Sequence, residues 1–177
     1  MYHIFSTCLD IYSSEFKVSE MEAIMSTSKM FAIHTHGNVN SFKIGDHTYY
    51  YVSDIMNSDL SNLRLVMFLT CSGGSGGYNH NNVTTGSPAN LVEACIYSGA
   101  TTAVAFNQTT YVSACNLWFS NLLELMRSRN LTLQQAIDEL DDPAISYGSV
   151  NFNQTYQMSE IDVIGGDSSI TLNEIFS

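Results

Sequence analysis

Two short stretches of the chain pair a reactive side chain with small residues. His36-Gly37 follows the run Met30-Phe-Ala-Ile-His-Thr35, and Cys71-Ser-Gly-Gly74 follows the run Leu65-Val-Met-Phe-Leu-Thr70. A cysteine attacks as the thiolate, and an imidazole beside it can take the thiol proton or stabilise the anion. Small residues after both side chains let a substrate backbone approach. They also leave main-chain N–H groups, those of Gly37 and Cys71, to hold the oxyanion of a tetrahedral intermediate. The chemistry this combination supports is nucleophilic attack on a carbonyl, with Cys71 as nucleophile and His36 as acid and base. Each residue also has a plain structural reading. Buried cysteines are common at strand ends, and a turn histidine often bonds to backbone. The His34-x-His36 pair has no acidic residue or cysteine nearby in sequence to complete a metal set, so neither metal nor cofactor is expected.

The elements that must position these residues are legible in the hydrophobic pattern. Residues 65–70 are apolar on both faces, as in a strand buried in the middle of a parallel sheet. Residues 2–9, 30–35 and 101–107 read as further strands. Ser19-x-x-Glu22 predicts a capping box opening a helix to about residue 26. A hairpin is expected over residues 42–52, turning at Gly45-Asp46 with Tyr49, Tyr50 and Tyr51 in its return arm. After Cys71 a polar loop runs to Ser87. Helices are then expected from Pro88 to Gly99, over residues 111–128 and over residues 131–140. A terminal hairpin is read around Gly165-Gly166. Alternating strands and helices imply an α/β three-layer sandwich with a mainly parallel central sheet. Ligands bind such sheets at the C-terminal strand ends, where His36, Cys71 and Asn107 all fall. Strands lie about 4.8 Å apart, so neighbouring strand ends bring a histidine and a cysteine within reach.

Composition narrows the partners. The chain has 177 residues, 45% of them hydrophobic, which suits one domain with a sizeable core. Its 6 basic and 17 acidic residues give a net charge of −11, which argues against a nucleic-acid partner. No apolar run approaches the roughly 20 residues of a membrane span, so no membrane insertion is expected. Four cysteines without CxxC spacing do not make a disulfide scaffold, and Cys8, Cys95 and Cys115 read as packing residues. Residues 1–177 are expected to form a single domain, and a start directly at a strand suits one belonging to a larger protein.

Phe31-Ala-Ile-His-Thr-His36-Gly37 and Leu65-Val-Met-Phe-Leu-Thr-Cys71-Ser-Gly-Gly74 resemble the His-Gly and Cys motifs of caspase-fold cysteine peptidases. That group includes clostripain, gingipain, legumain, separase and the CHAT domains. Leu91-Val-Glu-Ala-Cys-Ile-Tyr-Ser-Gly99 through Phe106, then Asn116-Leu-Trp-Phe119, is similar to the helix, strand and helix that follow in the family. The resemblance implies a caspase-like fold and a cysteine peptidase acting on peptide or protein substrates. It assigns the histidine role to His36 rather than His34 and the nucleophile to Cys71. Where clostripain-like enzymes often carry Asp two residues before the cysteine, this chain has Leu69. Where CHAT and separase-like members often carry an acid, it has Asn107-Gln108-Thr-Thr-Tyr111. The resemblance therefore does not extend to Arg or Lys specificity. The expected pocket residues are Asn107, Gln108 and Asp10, the last at the end of the first strand.

The same residues also fit an inactive caspase-like binding module or a flavodoxin-like flavin loop at residues 70–76. A Walker loop lacks its Gly-Lys-Ser/Thr, and a tyrosine-phosphatase loop would need Arg where Gly77 stands.

Overall fold

The computed structural model describes residues 16–147, 150–152 and 162–177. The strand expected over residues 2–9, with Cys8 and Asp10, lies outside the described residues. In chain order the elements are α1 (Val18–Thr27), β1 (Met30–His34), β2 (Gly37–Asn38), β3 (Ser41–Lys43), β4 (Tyr49–Tyr51) and α2 (Val52–Met56). Then come β5 (Leu65–Leu69), α3 (His80–Thr84), α4 (Leu91–Tyr97), β6 (Thr102–Phe106) and α5 (Val112–Ser128). The chain continues through α6 (Leu133–Leu140), β7 (Asp162–Gly166) and α7 (Leu172–Ile175).

The central sheet has the order β1-β5-β6-β7, with β1, β5 and β6 parallel and β7 antiparallel to β6. Every residue of β5 and β6 is buried, which is why residues 65–69 read as apolar on both faces. Phe31, Ile33, Val66 and Phe68 face a core built with α1, α2 and α4. Leu65, Met67, Leu69 and Phe106 face a second core built with α5, α6 and α7. The architecture is thus α/β, with helices on both sides of a mostly parallel sheet. The small sheet β2-β3-β4 contains the expected hairpin, and Phe42 within it packs on Phe68 with ring centroids 5.3 Å apart.

Three expectations are corrected. Helix α1 starts earlier than the predicted capping box, because Glu20 rather than Glu22 turns back, accepting the Lys17 N–H at 2.8 Å. The polar stretch after Cys71 contains a short helix, α3, and the following helix is capped by Asn90 rather than begun at Pro88. No terminal hairpin forms: β7 pairs with β6, and residues 172–175 are helical. Gly165-Gly166 lies in the strand because space requires it, not because the chain turns there. A Cβ on Gly165 would stand 2.6 Å from Val92 Cγ1 and 2.8 Å from the Tyr78 ring.

Candidate functional site

The ladder between β1 and β5 ends at the pair His34–Leu69, so His36 and Cys71 each follow their strand by two residues. Both residues lie just past the C-terminal ends of parallel neighbouring strands, His36 exposed and Cys71 partly so. His36 is anchored through its main chain, its carbonyl accepting the Lys43 N–H at 2.8 Å. That bond flanks the pair Gly37–Phe42 from outside, the mark of a non-hydrogen-bonded antiparallel pair. The Gly37 N–H therefore points away from β3.

One side chain joins the two sequence motifs. Thr70 is 1% exposed and stands between Gly37 and Gly73. A Cβ on Gly37 would lie 2.8 Å from Thr70 Cβ, and a Cβ on Gly73 would lie 2.9 Å from Thr70 Oγ1. Glycine is required in each motif because Thr70 fills the space between them. Its buried hydroxyl has no hydrogen-bond partner among the described residues.

Beyond Cys71 the chain bends sharply towards β6. Ser72 adopts φ +58°, a left-handed conformation uncommon for a residue with a Cβ. Its N–H donates to the Gln108 carbonyl at 3.0 Å, and the Gly74 N–H donates to the Phe106 carbonyl at 2.8 Å. The Cys71 N–H has no partner among the described residues. The rest of the loop is fastened from α4. Glu93, 1% exposed, accepts the N–H groups of Asn79 at 2.8 Å and Ala89 at 2.7 Å, and the Asn82 amide at 3.0 Å. Asn90 caps α4 through the Glu93 N–H at 3.0 Å and donates to the Gly77 carbonyl at 2.7 Å.

The start of α5 supplies the other wall, and sequence reasoning missed it. Cys71 Sγ lies 3.9 Å from the Thr110 carbonyl, at the long end for a thiol donor. Cys115, one turn into α5 and fully buried, has its thiol on the side chain of the same Thr110. Burial pushes the Cys115 thiol up from its ordinary range. His34 is pulled below its ordinary value, chiefly by burial, against a hydrogen bond it donates to the Asn116 side chain of α5, with the nearby His36 lowering it further.

Of the pocket residues, Gln108 is exposed with its carbonyl taken by Ser72, and Asn107 directly follows β6. Neither brings charge. A carboxylate does reach this end of the sheet from a strand whose partner was not foreseen: Asp162 opens β7 opposite Phe106. Burial raises it to about 6, and Asp141 at the end of α6 rises to about 7 through burial and then the Asp162 charge. The buried Trp118 indole leans on Asp141, yet neither Trp118 Nε1 nor Asp141 Oδ1 completes a hydrogen bond of normal geometry. Among the described residues no three acidic, histidine or cysteine side chains are grouped to hold a metal ion.

The Arg-specific cysteine proteinase gingipain R superposes on this chain with a TM-score of 0.60 at 11% sequence identity. The fold is caspase-like. The match covers 91% of this chain and 37% of the gingipain chain, so the protein spans little more than a third of that structure's length. No protein-family model matches the sequence, and comparison with curated proteins found no match. At this identity the likeness carries the caspase-like architecture alone. No described helix is long and apolar enough to cross a membrane.

Proposed function

We propose that this protein is a cysteine endopeptidase using Cys71 and His36. What supports the reading is the register of β1 against β5, whose last pair, His34–Leu69, leaves His36 and Cys71 each two residues past the end of a strand in a caspase-like sheet. The Cys71 thiolate attacks the scissile carbonyl, and the oxyanion rests on the N–H groups of Gly37 and Cys71. The protonated His36 gives its proton to the leaving amine, and the acyl group stays on sulfur as a thioester. His36 then takes a proton from water, which attacks the thioester and restores the thiol. The uncharged Asn107-Gln108 segment favours a neutral side chain at the cleavage site.

The test is a library of internally quenched peptides offered to the wild-type protein and to Cys71→Ala. Cleavage is expected from the first, and a loss of about 10⁴-fold or more from the second with unchanged circular dichroism. Full turnover by Cys71→Ala would overturn the mechanism.

A further inference from the structure

Peptide hydrolysis has no use for the Cys115 thiol, although the fold brings it to the same residue that Cys71 touches. Leu69 packs in the core beneath α5, and two residues on the Cys71 sulfur lies 3.9 Å from the carbonyl of Thr110, which leads into that helix. Cys115 belongs to that core, its N–H donating to the Tyr111 carbonyl at 3.0 Å in the first turn of α5. Thr110 meets both sulfurs, Cys71 through its carbonyl and Cys115 through its side chain. Cys95, by contrast, is buried in the core on the opposite face of the sheet.

We propose that Cys115 is a resolving cysteine for Cys71. After a hydroperoxide oxidises Cys71, Cys115 closes it into an intramolecular disulfide, a reversible off state of the site. The inference rests on reading Cys71 as the reactive thiol. Exposure sets the order of events, because Cys71 is partly open to solvent while Cys115 is sealed and held protonated by burial. The Cys71 thiolate attacks the peroxide O–O bond, giving the sulfenic acid and releasing hydroxide, which picks up a proton as water. The Cys115 sulfur then attacks the Cys71 sulfur, the S–S bond forms and the S–O bond breaks. The departing hydroxyl leaves as water with the Cys115 proton. Two thiols have lost two electrons, and one hydrogen peroxide has become two waters. A disulfide of about 2.05 Å leaves no room for Thr110 between the sulfurs, so its long contact with Cys71 must give way. An external dithiol reverses the change by exchange.

The test treats the full chain with hydrogen peroxide near neutral pH and maps thiols by peptide mass spectrometry, with iodoacetamide uptake at Cys71 as the readout. The expected product in the wild type is a Cys71–Cys115 disulfide, with Cys71 labelling lost and then restored by dithiothreitol. In Cys115→Ala, checked for folding by circular dichroism, Cys71 should proceed to the sulfinic acid, and restored labelling should fall about tenfold. Cys95→Ala should behave as the wild type. Wild-type protein whose Cys71 reaches the sulfinic acid with Cys115 still free overturns the proposal, as does a Cys71–Cys8 bond, whatever any variant does. Labelling needs no turnover, so the two readings fail separately. A disulfide without peptidase activity sinks the hydrolase alone, activity without the disulfide sinks the switch alone, and a Cys71 inert to both peroxide and iodoacetamide sinks both.

Discussion

Glu93 and Asp141 are buried or half-buried carboxylates on opposite faces of the same sheet, and their surroundings differ in every respect. Glu93 stands in the first turn of α4, where the helix end is positive, and three N–H donors converge on it. Asp141 stands at the C-terminal end of α6, where the helix end is negative, beside Asp138 and Asp162, with Oδ1 unpaired among the described residues. The first arrangement stabilises charge and fixes a loop. The second resists charge and takes up a proton instead. The α4 face therefore serves as scaffold for the loop after Cys71. The α5 face gathers groups that titrate or react: His34, Cys71, Cys115, Asp141 and Asp162.

That contrast breaks most visibly at the strand ends. His36→Ala should lower kcat/KM by about 10³-fold while leaving the unfolding midpoint in place, because His36 is exposed. His34→Ala should cost turnover roughly tenfold, through the lost bond to Asn116. A His34 variant as damaged as the His36 variant would show the roles reversed. On the scaffold face, Glu93→Ala should cost about 3 kcal/mol in urea unfolding, since it strands three donors around a buried site. A loss below about 1 kcal/mol would mean the loop holds itself without the clamp.

The acidic pair sharpens the comparison through pH. The folded-state values of Asp141 and Asp162, about 7 and about 6, lie above the ordinary 3.8. Folded chains then bind more protons than unfolded ones in that window, so stability should fall as pH rises from about 4 to about 7. Asp167 and Glu174, held low by Ser169 and Thr171, slope the other way, but only at more acid pH. Asp141→Asn should flatten the decline in melting temperature above pH 4, and an unchanged slope would clear the pair of responsibility. The smallest effect is expected at Thr70. Replacing its orphan hydroxyl by a methyl in Thr70→Val should gain about 1 kcal/mol without altering turnover.

How much of this was visible in the sequence depends on whether the signal was local. β5 announced itself because both faces of a central strand are buried, and Cys71 with its glycines followed directly. Gly37 and Gly73 were singled out for substrate approach, whereas the space they leave is filled by Thr70, a contact between strands that no single stretch records. Cys115 reads as a packing residue and is buried, but that the start of α5 reaches Cys71 through Thr110, 39 positions downstream, is decided by packing. Gly165-Gly166 was misread because a glycine pair signals a turn, while here it admits Val92 and Tyr78. Asp162 was overlooked because a lone acid at the head of an antiparallel strand carries no spacing signal.

The pairing of β1 with β5 also bears on the life of the chain before it is folded. His36 and Cys71 are far apart along the polypeptide, and the ladder that builds the core is what brings the ends of their two strands together. A half-synthesised chain holds a free thiol and a free imidazole but no hydrolytic centre, under the chemistry proposed here. A one-residue slip of the ladder would expose apolar side chains and misalign the pair in the same stroke. Under that chemistry, competence arrives together with the packed sheet.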